Sequence, residues 1–194
     1  MNIAFVLGNG ISRRGLGLNG LRPYGKIYGC NSLYTEFEPN VLVATDKPIS
    51  ARIQESGYSA KNVFYTRKPL PGLGALAIPK QYYGFSSGPA AAGIAAFDAN
   101  QQIYLIGFDC GPTSDQHFNN IYAGTEFYKP VTSLPTFTGN WIRQIRTVTK
   151  DFPNTRFFRV TGATTARMSE LDSIPNLKHL SIDKFLEYIY SLQL

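Results

Sequence analysis

The sequence predicts an α/β protein: one domain, a mostly parallel sheet with helices on both faces, and a long lid loop. Three observations predict it. Apolar, β-branched or aromatic runs recur along the 194 residues and alternate with helix-compatible stretches, the pattern of right-handed βαβ crossovers. Some runs are apolar almost throughout, as in Ile103-Tyr104-Leu105-Ile106-Gly107-Phe108, which suits strands covered on both faces. The length supports one full α/β domain over residues 1–194 and not comfortably two.

The elements follow in order. Strands are expected at 3–7, 26–30, 41–45, 62–66, 103–108 and 156–160, with a weaker candidate at 177–182. A short helix at 48–57 has Pro48 in its first turn and Gly57 at its end. The helix at 88–100 is small and apolar (Ala90, Ala91, Ala92, Ala95, Ala96), so it can approach a sheet closely. Ser86 and Ser87 are its N-cap candidates and Asn100 its stop. A helix at 140–151 carries Trp141, Ile145 and Val148 on one side, and one at 183–192 spaces Phe185, Leu186, Ile189 and Tyr190 as a packing face. Residues 68–85 and 109–139 fit neither pattern. Loops that long inside a compact domain are usually functional, and 109–139 reads as a lid beside a strand end.

Composition narrows the classes. Hydrophobic residues at 43% against 16% charged exclude a disordered chain. A net charge of +6 favours phosphate-bearing partners, whether nucleotide, nucleic acid or anionic surface, but no run of five cations singles out DNA. Cys30 and Cys110 each follow an apolar run and make neither a disulfide framework nor a zinc site. Their expected role is that of buried small hydrophobes in a reducing compartment. Residues 1–30 show no signal-peptide pattern and no apolar run reaches membrane-spanning length, so a cytoplasmic protein is expected.

The strand at 3–7 runs into Gly8-Asn9-Gly10-Ile11-Ser12 and then Arg13-Arg14. In an open parallel sheet this junction faces the ligand crevice. Its backbone N–H groups can cup an anion, and Arg13 can add a charge-assisted phosphate contact. A plain tight turn accounts for the same residues. The dinucleotide fingerprint is absent: its third glycine would fall on Arg13, and the second strand ends in Gly29-Cys30-Asn31 without the acidic residue. Asn31 can still bond a ribose hydroxyl or base edge. Ser86-Ser87-Gly88 at a helix start can hold a phosphate or simply cap the helix. Asp46 and Asp109 each end a strand and face the same rim, without the third ligand a metal site needs; Asp46 can orient a hydroxyl or simply cap the helix that follows. In the long loop, His117 is a candidate general base, and Tyr122 and Tyr128 can donate to a leaving phosphate. Arg143, Arg146 and Lys150 form a basic stripe at helical spacing, a solvated face or a phosphate-backbone contact.

Taken in order, the Gly8-Asn9-Gly10-Ile11-Ser12 turn, Tyr28-Gly29-Cys30-Asn31, Ser86-Ser87-Gly88 and Gly107-Phe108-Asp109 resemble the bacterial CMP-sialic-acid-dependent sialyltransferases of glycosyltransferase family 42. They are similar, too, to related Rossmann-like proteins of unknown activity, some of them phage-encoded. The resemblance covers about the first 110 residues. It implies that Asn9, Gly10 and Asn31 hold a cytidine nucleotide and that Ser86, Ser87 and Gly88 contact phosphate or sugar. Where that family has two leaving-group tyrosines this chain has Cys110-Gly111-Pro112, with Tyr122 and Tyr128 later; the family's catalytic His lies well downstream of His117.

The expected function is therefore a nucleotide-binding, glycosyltransferase-like enzyme that takes a nucleotide-sugar, a CMP-sugar by the resemblance. Asn9, Gly10, Ser12, Arg13, Asn31, Asp46, Ser86, Ser87, Gly88 and Asp109 are expected to bind the ligand, and His117, Tyr122 and Tyr128 to act on it. No metal or further cofactor is expected. The alternative is a phage-type protein that binds nucleotide or nucleic acid without turnover. Oligomeric state is not specified by the sequence.

Overall fold

Strand β1 (Ile3–Leu7) lies inside an eight-stranded sheet whose order is β5-β4-β3-β2-β1-β6-β7-β8. The computed structural model describes residues 2–192. The other strands are β2 (Lys26–Cys30), β3 (Val41–Ala44), β4 (Phe64–Thr66), β5 (Leu76–Ala77), β6 (Gln102–Ile106), β7 (Arg156–Thr161) and β8 (Leu177–Ser181). Every neighbouring pair is parallel, so among the described residues the sheet is parallel throughout. This is an α/β fold of Rossmann-like topology. Strands numbered upward from β1 run outward to one edge, and those from β6 run outward to the other. The direction of winding reverses between β1 and β6, which pair from Ile3↔Gln102 to Leu7↔Ile106. Such a reversal leaves a crevice beyond the strand ends.

The helices are α1 (Lys47–Glu55), α2 (Tyr58–Lys61), α3 (Ser87–Phe97), α4 (Gly139–Asp151), α5 (Ser169–Asp172) and α6 (Ile182–Ser191). They cover both faces, and strand alternation divides the core accordingly. Ala4 and Val6 of β1 pack with α3, α4 and α5. Ile3, Phe5 and Leu7 pack with Ile49 and Ile53 of α1 and Phe185 and Ile189 of α6. The alanines of α3 let its backbone sit close to β1, β2 and β3, and all five are buried.

The structure departs from the sequence expectation in several elements. β5 is two exposed residues within the short apolar run 75–78, which Gly74 and Pro79 bound in the Pro- and Gly-rich stretch. The strand expected at 103–108 stops at Ile106, because Gly107 turns to a left-handed φ of 73°. α3 ends at Phe97 and not at Asn100, whose side-chain amide instead donates to the Ala95 carbonyl (2.8 Å) and the Tyr28 hydroxyl (3.2 Å). Tyr190 stays 52% exposed, off the packing face of α6. The β1–β2 crossover contains only 3₁₀ turns, Ile11–Arg13 and Leu18–Leu21, so no α-helix begins at the Gly-Asn-Gly turn.

Residues 107–138, between β6 and α4, contain neither helix nor strand. Buried Phe118 and Tyr122 pin this segment to the body, and the Ile121 N–H donates to the Asn9 carbonyl (2.8 Å). No helix among the described residues is long and apolar enough to cross a membrane.

Candidate functional site

The end of β1 is knitted to the end of β6. Gly8 N–H donates to the Ile106 carbonyl (2.7 Å) and Gly10 N–H to the Gly107 carbonyl (2.9 Å). Ile11 N–H donates to Asn119 Oδ1 (2.9 Å) and Ser12 N–H to Asp109 Oδ2 (3.0 Å). The expected anion-cupping turn is thereby corrected. Its N–H groups from Gly8, Gly10, Ile11 and Ser12 already have acceptors inside the protein, and the glycines serve backbone contact between two strand ends. The Cβ positions of Gly8 and Gly10 each lie 2.6 Å from the Gly107 carbonyl oxygen, closer than any side chain permits.

Arg13 is likewise corrected as a phosphate contact. It is 4% exposed and points inward. Its Nε donates to the Gly8 carbonyl (2.7 Å), and its Nη2 donates to Asn9 Oδ1 and the Tyr122 hydroxyl (3.1 Å each). Glu36 lies 3.7 Å away. Tyr122 completes this cluster by donating to Glu36 Oε1 (2.5 Å), and burial, first, with that bond drives its pKa upward. Both residues brace the turn from below, outside the cavity wall.

Asp109 is the second brace. Its buried carboxylate accepts from Ser12 N–H, the Ser12 hydroxyl, Thr164 (3.1 Å) and Thr165 (3.3 Å). Ser12 thus faces Asp109 and does not line the cavity. Fully buried Arg159 of β7 supports the same bend, donating from Nε to the Phe108 carbonyl (2.9 Å) and from Nη2 to the Asp109 carbonyl (2.8 Å).

Above these braces lies a cavity of about 470 Å³ at the carboxyl ends of β1, β2, β3, β4 and β6. That volume is within the usual range for small-molecule sites. Asn9, Gly10, Asn31, Asp46, Ser86, Ser87, Gly88, Asp109 and Tyr128 all line it, so the three separated turns converge. His117 does not; its N–H donates to Thr113 Oγ1 (3.1 Å) and its carbonyl accepts from Thr113 N–H in a small closed turn.

Ser87 does not cap α3. Its Oγ accepts Thr45 N–H (3.0 Å) and donates to Asn31 Oδ1 (3.0 Å), tying the ends of β2 and β3 to the helix start. Asn31 sits at φ 53°, a conformation Asn tolerates, and its Oδ1 accepts from Ser87, which leaves the side-chain NH₂ without a partner among the described residues. Ser86 Oγ accepts from Trp141 Nε1 (3.0 Å), and Ser86 N–H donates to Gln144 of α4 (2.9 Å). The first helical bond of α3 runs from Ala90 N–H to the Ser86 carbonyl (3.0 Å). The N–H groups of Ser87 and Gly88 precede it, and both residues line the cavity.

Residues outside the sequence expectation complete the wall. Arg67, directly after β4, donates from Nη2 to the Phe85 carbonyl (3.0 Å), while its buried Nε has no partner among the described residues. Asn119 Nδ2 is also buried and unpartnered. Unsatisfied donors of this kind are unfavourable until an acceptor arrives. Lys129 and the rings of Phe118, Phe127, Phe137 and Trp141 line the remainder. Arg67 follows a strand end as Asn31 and Asp46 do, so the strand-end rule was a usable signal for it. Nothing local marks Asn119.

Tyr128 accepts Ser32 N–H (3.4 Å), and burial, first, raises its pKa, so the phenol is protonated near neutrality. Burial pushes the Cys30 thiol up to about 12 and the Cys110 thiol to about 11, which removes both as nucleophiles. Asp46 is exposed, occupies the N-cap position of α1 and makes no capping bond. Among the described residues no group of three or more His, Cys, Asp or Glu is placed to hold a metal ion.

The fold and the cavity together define an α/β protein with an open crevice at the point where its sheet reverses winding. Compared with protein-family models, curated proteins and solved structures, the chain matches none.

Proposed function

We propose that this chain binds a phosphorylated nucleoside in the 470 Å³ cavity and acts as a glycosyltransferase-like enzyme on a nucleotide-sugar donor. The observation that carries the reading is the convergence of Asn9, Asn31 and the Ser86-Ser87-Gly88 helix start on one crevice at the switch point. The free N–H groups opening α3, the Ser86 hydroxyl and Arg67 form the electropositive side, suited to phosphate. The amides of Asn31 and Asn119 offer donors to a base or ribose edge, and aromatic rings offer stacking faces. The resemblance to the CMP-sialic-acid-dependent sialyltransferases makes a CMP-sugar the first donor to test. Charge that develops on the departing phosphate is met by α3 and Arg67, and protonated Tyr128 is the available proton donor. Arg13, Tyr122 and His117 have no part in this version of the site.

One observation favours non-catalytic nucleic-acid binding. α4 enters the cavity wall with Trp141 and Gln144, and carries exposed Arg143, Arg146 and Lys150 away from it. Two of these cations have local partners: Arg143 donates to Asn140 Oδ1 (2.7 Å) and Arg146 to the Glu170 carbonyl (2.7 Å). The test is a thermal-shift screen with CMP, UMP, AMP, GMP and their sugar conjugates, followed by chromatography of released nucleotide. A rise in Tm that Arg67→Ala shifts to higher ligand concentration, with nucleotide release, supports the proposal. Salt-sensitive oligonucleotide binding without release, lost in Arg143→Ala/Lys150→Ala, supports the alternative.

A further inference from the structure

A second cavity of about 360 Å³ adjoins the first, and Asn31, Asp46, Phe127 and Tyr128 belong to both walls. The two differ in charge. The first contains Arg67, Lys129 and the start of α3; the second has no Lys or Arg on its wall and two carboxylates, Asp46 and Glu126. Glu126 is neutralised by Arg52 of α1 through two hydrogen bonds (2.7 and 3.1 Å). Asp46 has no such partner among the described residues. It leaves undone the bond its N-cap position normally makes, in a helix whose second residue, Pro48, lacks an N–H to receive it. The other cavity carboxylate, Asp109, is saturated by four donors and closed to the reaction.

Resting on the nucleotide-sugar reading above, we infer that the second cavity is the acceptor subsite for a neutral, hydroxyl-bearing substrate of the sugar class, and that Asp46 is the base that takes its proton. An acceptor there meets the Phe127 ring and the apolar surface of Pro48 and Ile49, which suit the C–H face of a sugar ring. An anionic acceptor is disfavoured by the free carboxylate. In the reaction the Asp46 carboxylate accepts the hydroxyl proton, and the acceptor oxygen bonds to the anomeric carbon of the donor. The bond from that carbon to the phosphate oxygen breaks, and its electron pair leaves on the nucleotide, beside α3 and Arg67. Asp46 then returns its proton to water. The carboxylate stands at the boundary between the two cavities, where such a base has to be.

The test compares wild type with Asp46→Asn, using CMP-, UDP- and GDP-linked sugars as probes and water as the simplest acceptor. Nucleotide affinity is measured by calorimetry and nucleotide release by chromatography from pH 5 to 9. Asp46→Asn is expected to bind nucleotide at least as tightly as wild type, since a negative charge leaves the cavity. Release is expected to fall about 100-fold or more at every pH measured. Methyl glucoside or methyl galactoside is expected to divert product from hydrolysis to transfer in wild type alone. Release by Asp46→Asn at the wild-type rate overturns the inference and leaves the nucleotide site standing. So does nucleotide binding with no release by either protein. Absence of nucleotide binding by wild type overturns the parent reading and this one with it.

Discussion

A Cβ placed on Gly10 would lie 2.5 Å from the carboxyl carbon of Asp109. The turn after β1 and the bend after β6 are therefore in backbone-level contact, and the Asp109 carboxylate locks them by accepting from Ser12, Thr164 and Thr165. Three chain segments distant in sequence meet on one side chain. Gly10→Ala is expected to lower stability by about 1–3 kcal/mol through overpacking. Asp109→Asn, which turns one of two carboxylate oxygens, each accepting from two donors, into a donor, should lower it by about 1.5–3 kcal/mol. Urea unfolding measures both. An unchanged midpoint in either variant would remove Asp109 as the organiser of the cavity floor.

That contact also shows what was legible in the chain. The continuous apolar run 3–7 marks β1 to the residue, because a strand buried on both faces is written in local composition; β2, with Lys26 exposed at its start, also lies at the expected 26–30. Asn9, Asn31 and Asp46 follow from one rule, that ligands gather beyond strand ends, and Ser86 from a helix start; all four line the cavity. Arg13 was misread because its partners Tyr122 and Glu36 lie 109 and 23 residues away, and nothing in Gly-Ile-Ser-Arg distinguishes an inward cation from an outward one. Ser87 was open between capping and phosphate binding and does neither with its hydroxyl, which links two strand ends. Such roles depend on strand order, which the sequence does not spell.

The two thiols provide a pH-dependent check. Cys30 and Cys110 move from 9.0 to about 12 and about 11 on burial, so near pH 8 the folded protein should resist a thiol reagent, while both groups react in guanidinium. The sign for stability follows from the raised values. Below about pH 9 both states hold these protons and their contribution is intact. Above it the unfolded chain ionises while the folded one does not. Stability should then fall by up to about 1.4 kcal/mol per pH unit for each thiol, until pH passes the folded values. Tyr58 and Tyr82, raised by burial to about 12, prolong the decline. In Cys30→Ala/Cys110→Ala the fall in urea midpoint should begin about one unit later, where tyrosines ionise. Rapid labelling of the native protein would show that the thiols are reachable.

Arg52 of α1 grips Glu126 of the long segment and also lies over the Phe127 ring, 5.6 Å from its centroid. Both side chains of the pair are more than half exposed, so global stability should change by less than about 1 kcal/mol in Arg52→Ala. Local closure is the sensitive quantity. Hydrogen exchange at residues 120–129, and limited proteolysis there, should rise in the variant and rise in wild type at high salt, where the pair is screened. If the segment acts as a lid, those rates should drop again when nucleotide is bound. Exchange that ignores both salt and the substitution would mean that Phe118 and Tyr122 alone hold the segment down.

Trp141 is the single tryptophan of the chain, and its indole N–H donates to Ser86 Oγ (3.0 Å) in the cavity wall. The bond joins the first turn of α4 to the start of α3, the side of the cavity suited to phosphate. An anion seated at Ser86 and Gly88 would draw the Ser86 hydroxyl proton toward itself and change the field at the indole. Addition of CMP or a CMP-sugar should therefore alter Trp141 emission in a saturable way, at the concentrations that raise Tm. Ser86→Ala should weaken the response by removing both the hydroxyl and the acceptor of the indole N–H. Arg67→Ala should shift the titration to higher concentration, about tenfold for a lost charge-assisted bond, without changing the free emission. Emission that stays constant while Tm rises would place the nucleotide away from the α3–α4 corner and move the phosphate subsite elsewhere along the strand ends.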